Sequence, residues 1–484
     1  MKGFVCCFFT TSILVSTTIS GFAQKRVADL LLHNVAVIDV KNAKTIAHQS
    51  VLISGDSILA IGDLSLEKNY RAKKTIDLSG KFIMPSLWDM HVHFGGDTLV
   101  EENKNLLPLY LANGITAVRD CAGDISTDVL KWKKQIKAGT LAGPDIFTSG
   151  PKLEGLHSIW PGDLEIDDEA ALKSALDSLQ KLQVDFIKIT DNALKPSLFL
   201  ESIRQAKKRG WKTSGHAPVS LTLQELSDAG LSTIEHLGYM LRVVSSEEAG
   251  IAAQRATGKL DNKQAAVKIL ETQDTVGAVK KIKLLAANGT AVVPTIFGSY
   301  ITTYLDKNNH AGDANLKYLG PALKRTYNWR VERAAKDDAA AIAFRHRQFE
   351  ATASLLPLIH RSGMTILAGT DVGFLNSFNY PGFGLHDELE MMVQYGLSAQ
   401  TALAASVING PAFLGLEKKY GAVAKGKSAD LLLLNKNPLL DITHTRSIAG
   451  LIRRGVYMGR AELDQLLVVA AQQVSDAEQK EQLK

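Results

Sequence analysis

The centre of this 484-residue chain alternates short apolar segments with helical stretches, and this repeat constrains the fold more than any other feature. Helical patterns such as those at 169–182, 198–209 and 276–288 separate the apolar segments. The eight candidate strands lie at 82–93, 115–119, 145–149, 186–189, 212–216, 233–236, 291–295 and 365–371. Eight successive strand–helix units predict an α/β fold, the (β/α)8 TIM barrel. A doubly wound open sheet is the alternative, and the lack of a glycine-rich phosphate loop after any strand disfavours it.

Segments rich in β-branched residues flank this repeat on both sides and predict a second, smaller domain. The candidate strands are 30–40, 50–53, 57–61, 429–435 and 448–457. A hairpin signal, Ser54-Gly55-Asp56, separates two of them. We therefore expect a small β-sandwich domain made from both ends of the chain, followed by a polar helical tail that frays. The predicted boundaries are 24–84 and 413–460 for the small domain, 85–412 for the barrel and 461–484 for the tail.

The first residues have the features of an export signal. Lys2 precedes an apolar run at 4–19, and Gly21-Phe22-Ala23 offers small residues before Gln24. The run is shorter than the ~20 residues of a membrane span, so we expect a signal peptide at 1–23 that is cleaved rather than an anchor. The mature protein is then secreted or periplasmic, without a stable membrane span. Only Cys121 remains after cleavage, which excludes an intramolecular disulfide.

The charge of the chain bears on its partners. A formal net charge of +5 is small for 484 residues, and no basic stripe is interleaved with aromatic residues, which argues against nucleic-acid binding. We expect a small-molecule or dipeptide substrate, and the sequence leaves open whether the chain forms a homo-oligomer. A long polar insert at 296–345 follows the seventh strand, either as a lid over the barrel mouth or as surface packing.

Residues that bind metals or transfer protons stand at the predicted strand ends. His91 and His93 are two positions apart, so both imidazoles point to one face where the first strand ends. Lys188 is a charge within an apolar strand, where a lysine is usually neutral, paired or modified. The ends of the fifth, sixth and eighth strands add His216, His236 and Asp371. A barrel places its catalytic groups at these strand ends, so the set predicts a metal site.

This pattern resembles the amidohydrolase superfamily, which carries His-x-His on strand one, Lys on strand four, His on strands five and six and Asp on strand eight. The segments Asp185-Phe186-Ile187-Lys188-Ile189, Val118-Arg119-Asp120 and Ile234-Glu235-His236 resemble one branch of it. That branch contains metal-dependent prolidases with a carboxylated lysine and imidazolonepropionase-like amidohydrolases. Two departures concern the substrate contacts rather than the metal ligands. After strand three the family often has Gly-Gly-His, whereas this chain has Glu154-Gly155-Leu156-His157. On strand six the family often has Glu-His-Gly, whereas here Leu237 follows His236.

The resemblance implies a metal-dependent amidohydrolase that cleaves an amide or peptide C–N bond with a metal-activated hydroxide. It implies two zinc ions, with other divalent ions as alternatives, bridged by a carboxylated Lys188. His91, His93 and Asp371 would bind one ion, and His216 and His236 the other. Asp371 would also act as general base and then acid. His157 would stabilise the oxyanion, and Tyr239 would contact the substrate carbonyl or carboxylate.

The expected substrates are Xaa-Pro-like dipeptides or N-acyl amino acids. Alternatives are a cyclic-amide hydrolase or deaminase, or a lactonase, on the same metal centre, because fold and metals do not fix the substrate. A non-catalytic binding protein is disfavoured because every expected ligand position carries a ligand-type residue. Two further residues receive structural roles: Arg119 as the partner of a carboxylate, and His386 as scaffolding at a helix start.

Overall fold

The computed structural model of the protein describes Met1, Gly3 and residues 25–483. The predicted signal peptide at 1–23 therefore lies outside the described residues, apart from Met1 and Gly3. The strands in the described part are β1 (Arg26–Asp39), β2 (Lys44–Ser54), β3 (Ser57–Asp63), β4 (Tyr70–Asp77), β5 (Phe82–Pro85), β6 (Leu87–His93), β7 (Ile115–Asp120), β8 (Asp145–Thr148), β9 (Leu153–Glu154), β10 (Leu164–Glu165), β11 (Ile187–Ile189), β12 (Thr213–Gly215), β13 (Thr233–Glu235), β14 (Ala291–Val293), β15 (Val372–Gly373), β16 (Leu431–Leu434), β17 (Ile448–Arg453) and β18 (Val456–Gly459).

The helices pack outside these strands and between them along the chain. They are α1 (Val100–Lys104), α2 (Leu107–Ala112), α3 (Ser126–Lys137), α4 (Glu169–Leu182), α5 (Pro196–Lys208), α6 (Leu223–Ala229), α7 (Glu248–Ala256), α8 (Asn262–Glu271), α9 (Thr275–Ala287), α10 (Ile296–Thr303), α11 (Pro321–Thr326), α12 (Asn328–Ala334), α13 (Ala339–Ala353), α14 (Leu356–Arg361), α15 (Gly384–Gln394), α16 (Ala399–Val407), α17 (Asn409–Phe413) and α18 (Arg460–Gln482). Short 3-10 helices lie at Leu64–Asn69, Leu237–Val244, Ala314–Tyr318 and Ile442–Arg446. None of the helices in 25–483 combines the length and the hydropathy that a bilayer span requires.

The N- and C-terminal strands form one mixed sheet. Its order is β18-β17-β16-β5-β1-β2-β3, and β4 pairs with β1. Antiparallel pairing of β5 with β16 joins the two ends of the chain, and in it Ile83 lies opposite Leu433. Alternate residues of these strands, such as Leu32 and Val51, are fully buried in an apolar cluster of their own. The sequence prediction that both ends contribute to one sheet is confirmed.

The central strands form two parallel sheets whose carboxyl ends carry the ligand-type residues. One sheet has the order β15-β6-β7-β8, and the other β10-β9-β11-β12-β13-β14. Backbone hydrogen bonds also join the two sheets at both borders. Asp185 N donates to Thr148 O at 2.9 Å on one side, and Leu367 N donates to Val292 O at 2.9 Å on the other. The α/β class is therefore as predicted, with parallel strands and helices in alternation.

Two predicted strands differ from the structure. The segment 82–93 is not one strand but two, because β5 belongs to the mixed sheet and β6 to a parallel sheet. Ser86 marks the change, since its N–H donates to Asp430 O while the next N–H, of Leu87, donates to Gly114 O. The segment 365–371 makes only a bridge from Ile366 to Val292 before β15 begins. Near the end of this segment the Asp89 carboxylate, rather than a neighbouring strand, accepts both the N–H and the hydroxyl of Thr370.

The C-terminal tail is a packed helix, and the expectation that it frays is wrong. Helix α18 buries Leu463, Ala470 and Val474 against the rest of the fold. Its last turns form ion pairs with α11, from Lys324 to Glu478 at 2.8 Å and from Arg325 to Glu481 at 2.7 Å. The tail is polar in overall composition, but the apolar residues that it buries form a narrow stripe along one helix face that packs against the fold.

Candidate metal centre

The end of β6 brings three of the predicted ligands together. His91 and His93 leave the strand on the same face, and their Nε2 atoms are 3.1 Å apart. Asp371 Oδ1 lies 2.9 Å from His93 Nε2 and 3.3 Å from His91 Nε2. Asp371 has a φ of +63°, outside the strand region, immediately before β15. This sparsely populated conformation turns the carboxylate toward the two imidazoles, and such strain is common at functional sites.

The ends of β12 and β13 bring a second pair of histidines to the same place. His216 and His236 have their Nε2 atoms 3.2 Å apart, and the ring of His236 is 4.9 Å from that of His91. His236 also has a positive φ, +66°. Its other nitrogen, Nδ1, is 2.8 Å from the hydroxyl of Thr295, which fixes the ring orientation. All four predicted histidines therefore present Nε2 toward a common point.

Lys188 lies in the middle of β11, beneath this cluster, and is fully buried. Its Nζ has no hydrogen-bond partner among the described residues. Burial lowers the pKa of this ammonium below its ordinary value, although Glu235 acts in the opposite direction. An unpaired ammonium in such a place is unfavourable, so the environment favours the neutral amine.

A buried carboxylate, Glu235, supports the cluster from behind. It accepts hydrogen bonds from His91 Nδ1 at 2.6 Å, Ser214 Oγ at 2.6 Å and Thr233 Oγ1 at 2.5 Å. It also forms an ion pair with Arg119, whose Nη2 lies 2.7 and 2.8 Å from the two carboxylate oxygens. The prediction that Arg119 pairs with a carboxylate is confirmed. Glu235 leaves Nε2 of His91 free to face the cluster.

The charges of these groups suit metal binding. Burial lowers the pKa of His93 to about 4 and that of His236 to about 3, and burial also takes the pKa of His216 well below its usual range. Burial alone would raise the pKa of Asp371, but His236 and the hydrogen bonds from His91 and His93 hold it well below its usual range. Near neutral pH the site therefore offers neutral imidazoles and a carboxylate, the forms that bind divalent metals.

The donor atoms fit a metal site in chemistry and in spacing. Ligand atoms at about 2.0–2.1 Å from a tetrahedral zinc ion lie roughly 3.3 Å from one another. The separations within the cluster, 2.9 to 3.3 Å, are close to that spacing. His91, His236 and Asp371 also each offer an atom within 4.8 Å of the other two. The unpartnered Nζ of Lys188 adds a buried polar atom that the protein leaves unsatisfied.

Three cavities meet at the cluster, and His236 borders all of them. The inner cavity, about 600 Å³, is lined by His93, Ala122, Asp124, Lys152, Trp160, Pro161, Lys188, Thr190, His216, His236, Arg330, Asp371, Phe374 and Asn376. The polar cavity, about 550 Å³, is lined by His236, Gly298, Ser299, Thr302, Arg330, Asp371, Asn376, Ser377 and Asn379. The side cavity, about 990 Å³, lies beside Asp191, Tyr239 and Arg242. A substrate at the cluster can thus extend in more than one direction.

The same architecture identifies the chain's relatives. The amidohydrolase family model matches residues 82–458, which include every ligand-type residue described above. This chain belongs to the amidohydrolase family. It is a hydrolase acting on carbon–nitrogen bonds, as the family and the names of its relatives indicate.

Curated relatives match this amidohydrolase over short stretches. An adenine deaminase from Petrotoga mobilis is 37% identical over 87 residues, 18% of this chain and 14% of that protein. A dihydroorotase from Carboxydothermus hydrogenoformans is 34% identical over 116 residues, 22% of this chain and 26% of that protein. An ochratoxinase from Aspergillus niger is 30% identical over 122 residues, 22% of this chain and 25% of that protein. The chain thus matches about a quarter or less of each relative's length.

Solved structures match the amidohydrolase over most of its length and support the fold. Bottromycin amidohydrolase superposes with a TM-score of 0.72 at 18% identity, covering 92% of this chain and 90% of the other. A Xaa-Pro dipeptidase with bound methionine in its active site gives 0.63 at 19% identity, with 89% and 99% covered. The Aspergillus niger ochratoxinase gives 0.63 at 18% identity, with 89% and 96% covered.

The remaining predicted site residues occupy different surroundings in the amidohydrolase. Tyr239 stacks on His216 at 5.5 Å between ring centres, and its hydroxyl donates to Asp191 Oδ1 at 3.2 Å. His157, in contrast, is exposed with a φ of +61°, and among the described residues it is not one of those that line the cavities at the cluster. Its oxyanion role stays a prediction. His386 is buried near the start of α15 between Thr445 and Asn113 O, which confirms its structural role.

Two residues of the site were not identified as such from the sequence. Glu235 belongs to the Ile234-Glu235-His236 motif, where a carboxylate directly before a strand-end histidine is itself a signal for a supporting hydrogen bond. Arg330 lies in the insert at 296–345, on α12, and lines both the inner and the polar cavity. The same insert also buries Tyr327 completely, so it contributes to packing as well as to the cavity walls.

Proposed function

We propose that the protein is a metal-dependent amidohydrolase that cleaves an amide or peptide C–N bond of a dipeptide or N-acyl amino acid. The observation that carries this proposal is the convergence of four imidazole Nε2 atoms and the Asp371 carboxylate above the unpartnered Nζ of Lys188. We infer that His91, His93 and Asp371 hold one zinc ion and His216 and His236 a second. Bound there, divalent ions supply Lewis acidity for the attacking water and the scissile carbonyl.

The residues of the chain account for the proton movements of the reaction. Hydrolysis adds water across the C–N bond and yields a carboxylic acid and an amine. Asp371 Oδ1, beside His91 and His93, takes a proton from the water and returns it to the departing amine nitrogen. The hydroxyl of Tyr239 can exchange its bond to Asp191 for one to the substrate carbonyl or carboxylate.

Lys188 takes part as a carbamate in this proposal. Its neutral Nζ attacks CO₂, a new N–C bond forms, and the amine loses one proton, which leaves an anionic carboxylate on the side chain. The buried position of Nζ without any protein partner in 25–483 supports this assignment, because the modified group has the charge that two cations require.

Similarity to other proteins supports the choice of substrate class. The chain superposes on a Xaa-Pro dipeptidase and on an ochratoxinase over about nine-tenths of its length. A second candidate, hydrolysis of a cyclic amide or deamination, is favoured by the short matches to a dihydroorotase and an adenine deaminase. Lactone hydrolysis on the same centre is a further alternative, because the metals would activate an ester carbonyl equally well.

We also infer how the sheets are arranged into domains. The hydrogen bonds from Asp185 to Thr148 and from Leu367 to Val292 support closure of the two parallel sheets into one (β/α)8 barrel at 85–412. The mixed sheet supports the sandwich-like small domain at 24–84 and 413–460. The apolar run at 4–19 motivates export of the protein as a secreted or periplasmic enzyme.

A substrate screen tests the proposal. Zinc-reconstituted protein would be offered Xaa-Pro dipeptides, N-acyl amino acids, dihydroorotate, adenine and simple lactones, with Asp371→Ala protein as the control for contaminating activity. We expect turnover of at least one dipeptide or N-acyl amino acid that the Asp371→Ala protein lacks. Turnover of only the cyclic amides, adenine or the lactones would refute the proposed substrate class while leaving the metal centre in place.

A further inference from the structure

One cation at the reaction centre has no ionic partner. The Arg330 guanidinium lines both the inner and the polar cavity together with Asp371 and His236. Its Nε donates to Leu375 O at 2.9 Å and its Nη2 donates to Asn376 Oδ1 at 2.6 Å, and both acceptors are neutral. Within 25–483, no carboxylate forms an ion pair with Arg330, and its Nη1 makes no hydrogen bond to the protein.

Two other cations near the cluster, Arg119 and Lys152, do have carboxylate partners. Arg119 is paired with Glu235 at 2.7 Å. Lys152, the other ordinary cation of the inner cavity, lies 3.3 Å from Asp163 and over the ring of Trp160. Arg330 also lies over an aromatic ring, that of Trp329 at 5.1 Å, but unlike Arg119 and Lys152 it has no carboxylate partner within 25–483. A cation that has lost much of its water normally gains a carboxylate in exchange. Arg330 is such a cation, and its burial lowers the pKa of the guanidinium.

The position of Arg330 is held rigidly by the protein. Helix α12 carries it over the cluster, and the neighbouring Trp329 donates from Nε1 to the same carbonyl, Leu375 O, at 3.1 Å. The walls of the polar cavity beside it are hydroxyls and amides, from Ser299, Thr302 and Asn379. Among residues 25–483, Asp371 is the one carboxylate that borders this cavity, and it belongs to the proposed metal ligands. The remaining charge that a ligand in this cavity meets is the positive charge of Arg330.

We propose that Arg330 binds a carboxylate of the substrate in the polar cavity, on the side of the amino acid that leaves after C–N cleavage. This inference rests on the proposed function and narrows it to substrates with a free carboxylate near the scissile amide. The planar fork of a guanidinium matches a carboxylate, and the fixed contacts at Nε and Nη2 leave Nη1 for the ligand. Acyl groups would then occupy the inner cavity, beside Trp160 and Phe374.

Binding of a matched pair of probes tests this assignment independently of catalysis. The affinities of zinc-loaded protein for N-acetyl-L-phenylalanine and for its carboxamide would be measured by calorimetry. The variants are Arg330→Met, Arg330→Lys and, as a control just after the same helix, Lys336→Met, since Lys336 is exposed and does not line the cavities. We expect the acid to bind wild type more tightly than the carboxamide, and Arg330→Met to lose about 10- to 100-fold for the acid only.

Each outcome decides the proposal. Loss confined to the acid in Arg330→Met, with Lys336→Met unchanged, supports it. The proposal is overturned if Arg330→Met binds the acid within threefold of the wild-type affinity. It is also overturned if wild type does not prefer the acid over the carboxamide, or does not measurably bind the acid. Arg330→Met could lose affinity for both probes because the 375–376 loop is disturbed, and Arg330→Lys then decides. If Arg330→Lys still binds the acid more tightly than the carboxamide, the proposal is supported, and if it does not, the proposal is overturned. Turnover of the probes is a separate readout, whose absence bears on the proposed function alone.

Discussion

The ion pair between Arg119 and Glu235 allows a quantitative test of how the candidate metal centre is supported. Both side chains are completely buried, and Arg119 Nη2 lies 2.7 Å from Glu235 Oε1. Arg119→Met keeps much of the side-chain volume but leaves the Glu235 carboxylate without a cation in a water-free environment. Breaking a buried pair from one side costs about 3–5 kcal/mol. We therefore expect Arg119→Met to lower the free energy of unfolding by that amount at pH 7.

The pH dependence of this loss follows from the pKa of Glu235. Burial alone would raise that pKa, but Arg119 and His91 hold it well below its usual range. A carboxylate with a lowered pKa in the folded state contributes stability above its unfolded pKa, which is about 4.3, and loses it as the pH falls toward the folded pKa. Without Arg119, ionised Glu235 contributes less to stability, so less stability is lost when it becomes protonated. The difference in the free energy of unfolding between wild type and Arg119→Met should therefore shrink below pH 4.

Urea denaturation followed by tryptophan fluorescence measures both effects. The set would contain wild type, Arg119→Met, Glu235→Gln and the double variant, with Arg209→Met as the control. Arg209 forms a comparable 2.7 Å ion pair with Asp177 at the surface, where such pairs contribute about 0–1 kcal/mol. We expect the double variant to lose at least about 2 kcal/mol less than the sum of the single losses. A loss in Arg119→Met no larger than in Arg209→Met, or strictly additive losses, would refute this account.

Four further predictions concern the chemistry, the stability and the export of the protein. Lys188→Ala should abolish turnover, and short-chain carboxylic acids should restore part of it; near-native turnover without them contradicts carboxylation of Lys188. Asp371→Asn should keep much of the metal yet lower kcat by about 10²–10⁴-fold; a change of only a few-fold would mean that another group moves the proton. Burial raises the pKa of Glu388 to about 8, so its contribution to stability is present below about pH 4 and is lost as the pH rises through 8. Between pH 6 and 9, the urea concentration at the unfolding midpoint should therefore fall less for Glu388→Gln than for wild type. Equal falls would refute this. Mass spectrometry of protein exported by its own host should find Gln24 at the mature N-terminus, and an intact Met1 would refute cleavage.

The clustering of the four histidines could be predicted from the sequence because strand periodicity is a strictly local signal. His91 and His93 are two residues apart on β6, and a spacing of two fixes a common face whatever the rest of the fold does. His216 and His236 directly follow β12 and β13, where the chain leaves a parallel sheet. The apolar residues before each one were sufficient to place it at the strand end.

Other features depend on contacts between distant parts of the chain. The break at Ser86 depends on the different pairing partners of β5 and β6. The positive φ of Asp371 stands beside hydrogen bonds from Thr370 to Asp89, a residue far away in the sequence. Arg330 could not be placed either, since the short helices of the insert have no periodicity that indicates what faces the cluster.

Metal content is the measurement that tests the central claim most directly. Wild type and Lys188→Ala would be reconstituted with zinc and bicarbonate, freed of unbound metal and analysed for zinc per chain. The ligands His91, His93, His216, His236 and Asp371, bridged by a modified Lys188, predict about two ions in wild type and one or fewer in Lys188→Ala. One ion or fewer in wild type, or two ions retained without the lysine, would contradict a binuclear centre built on Lys188.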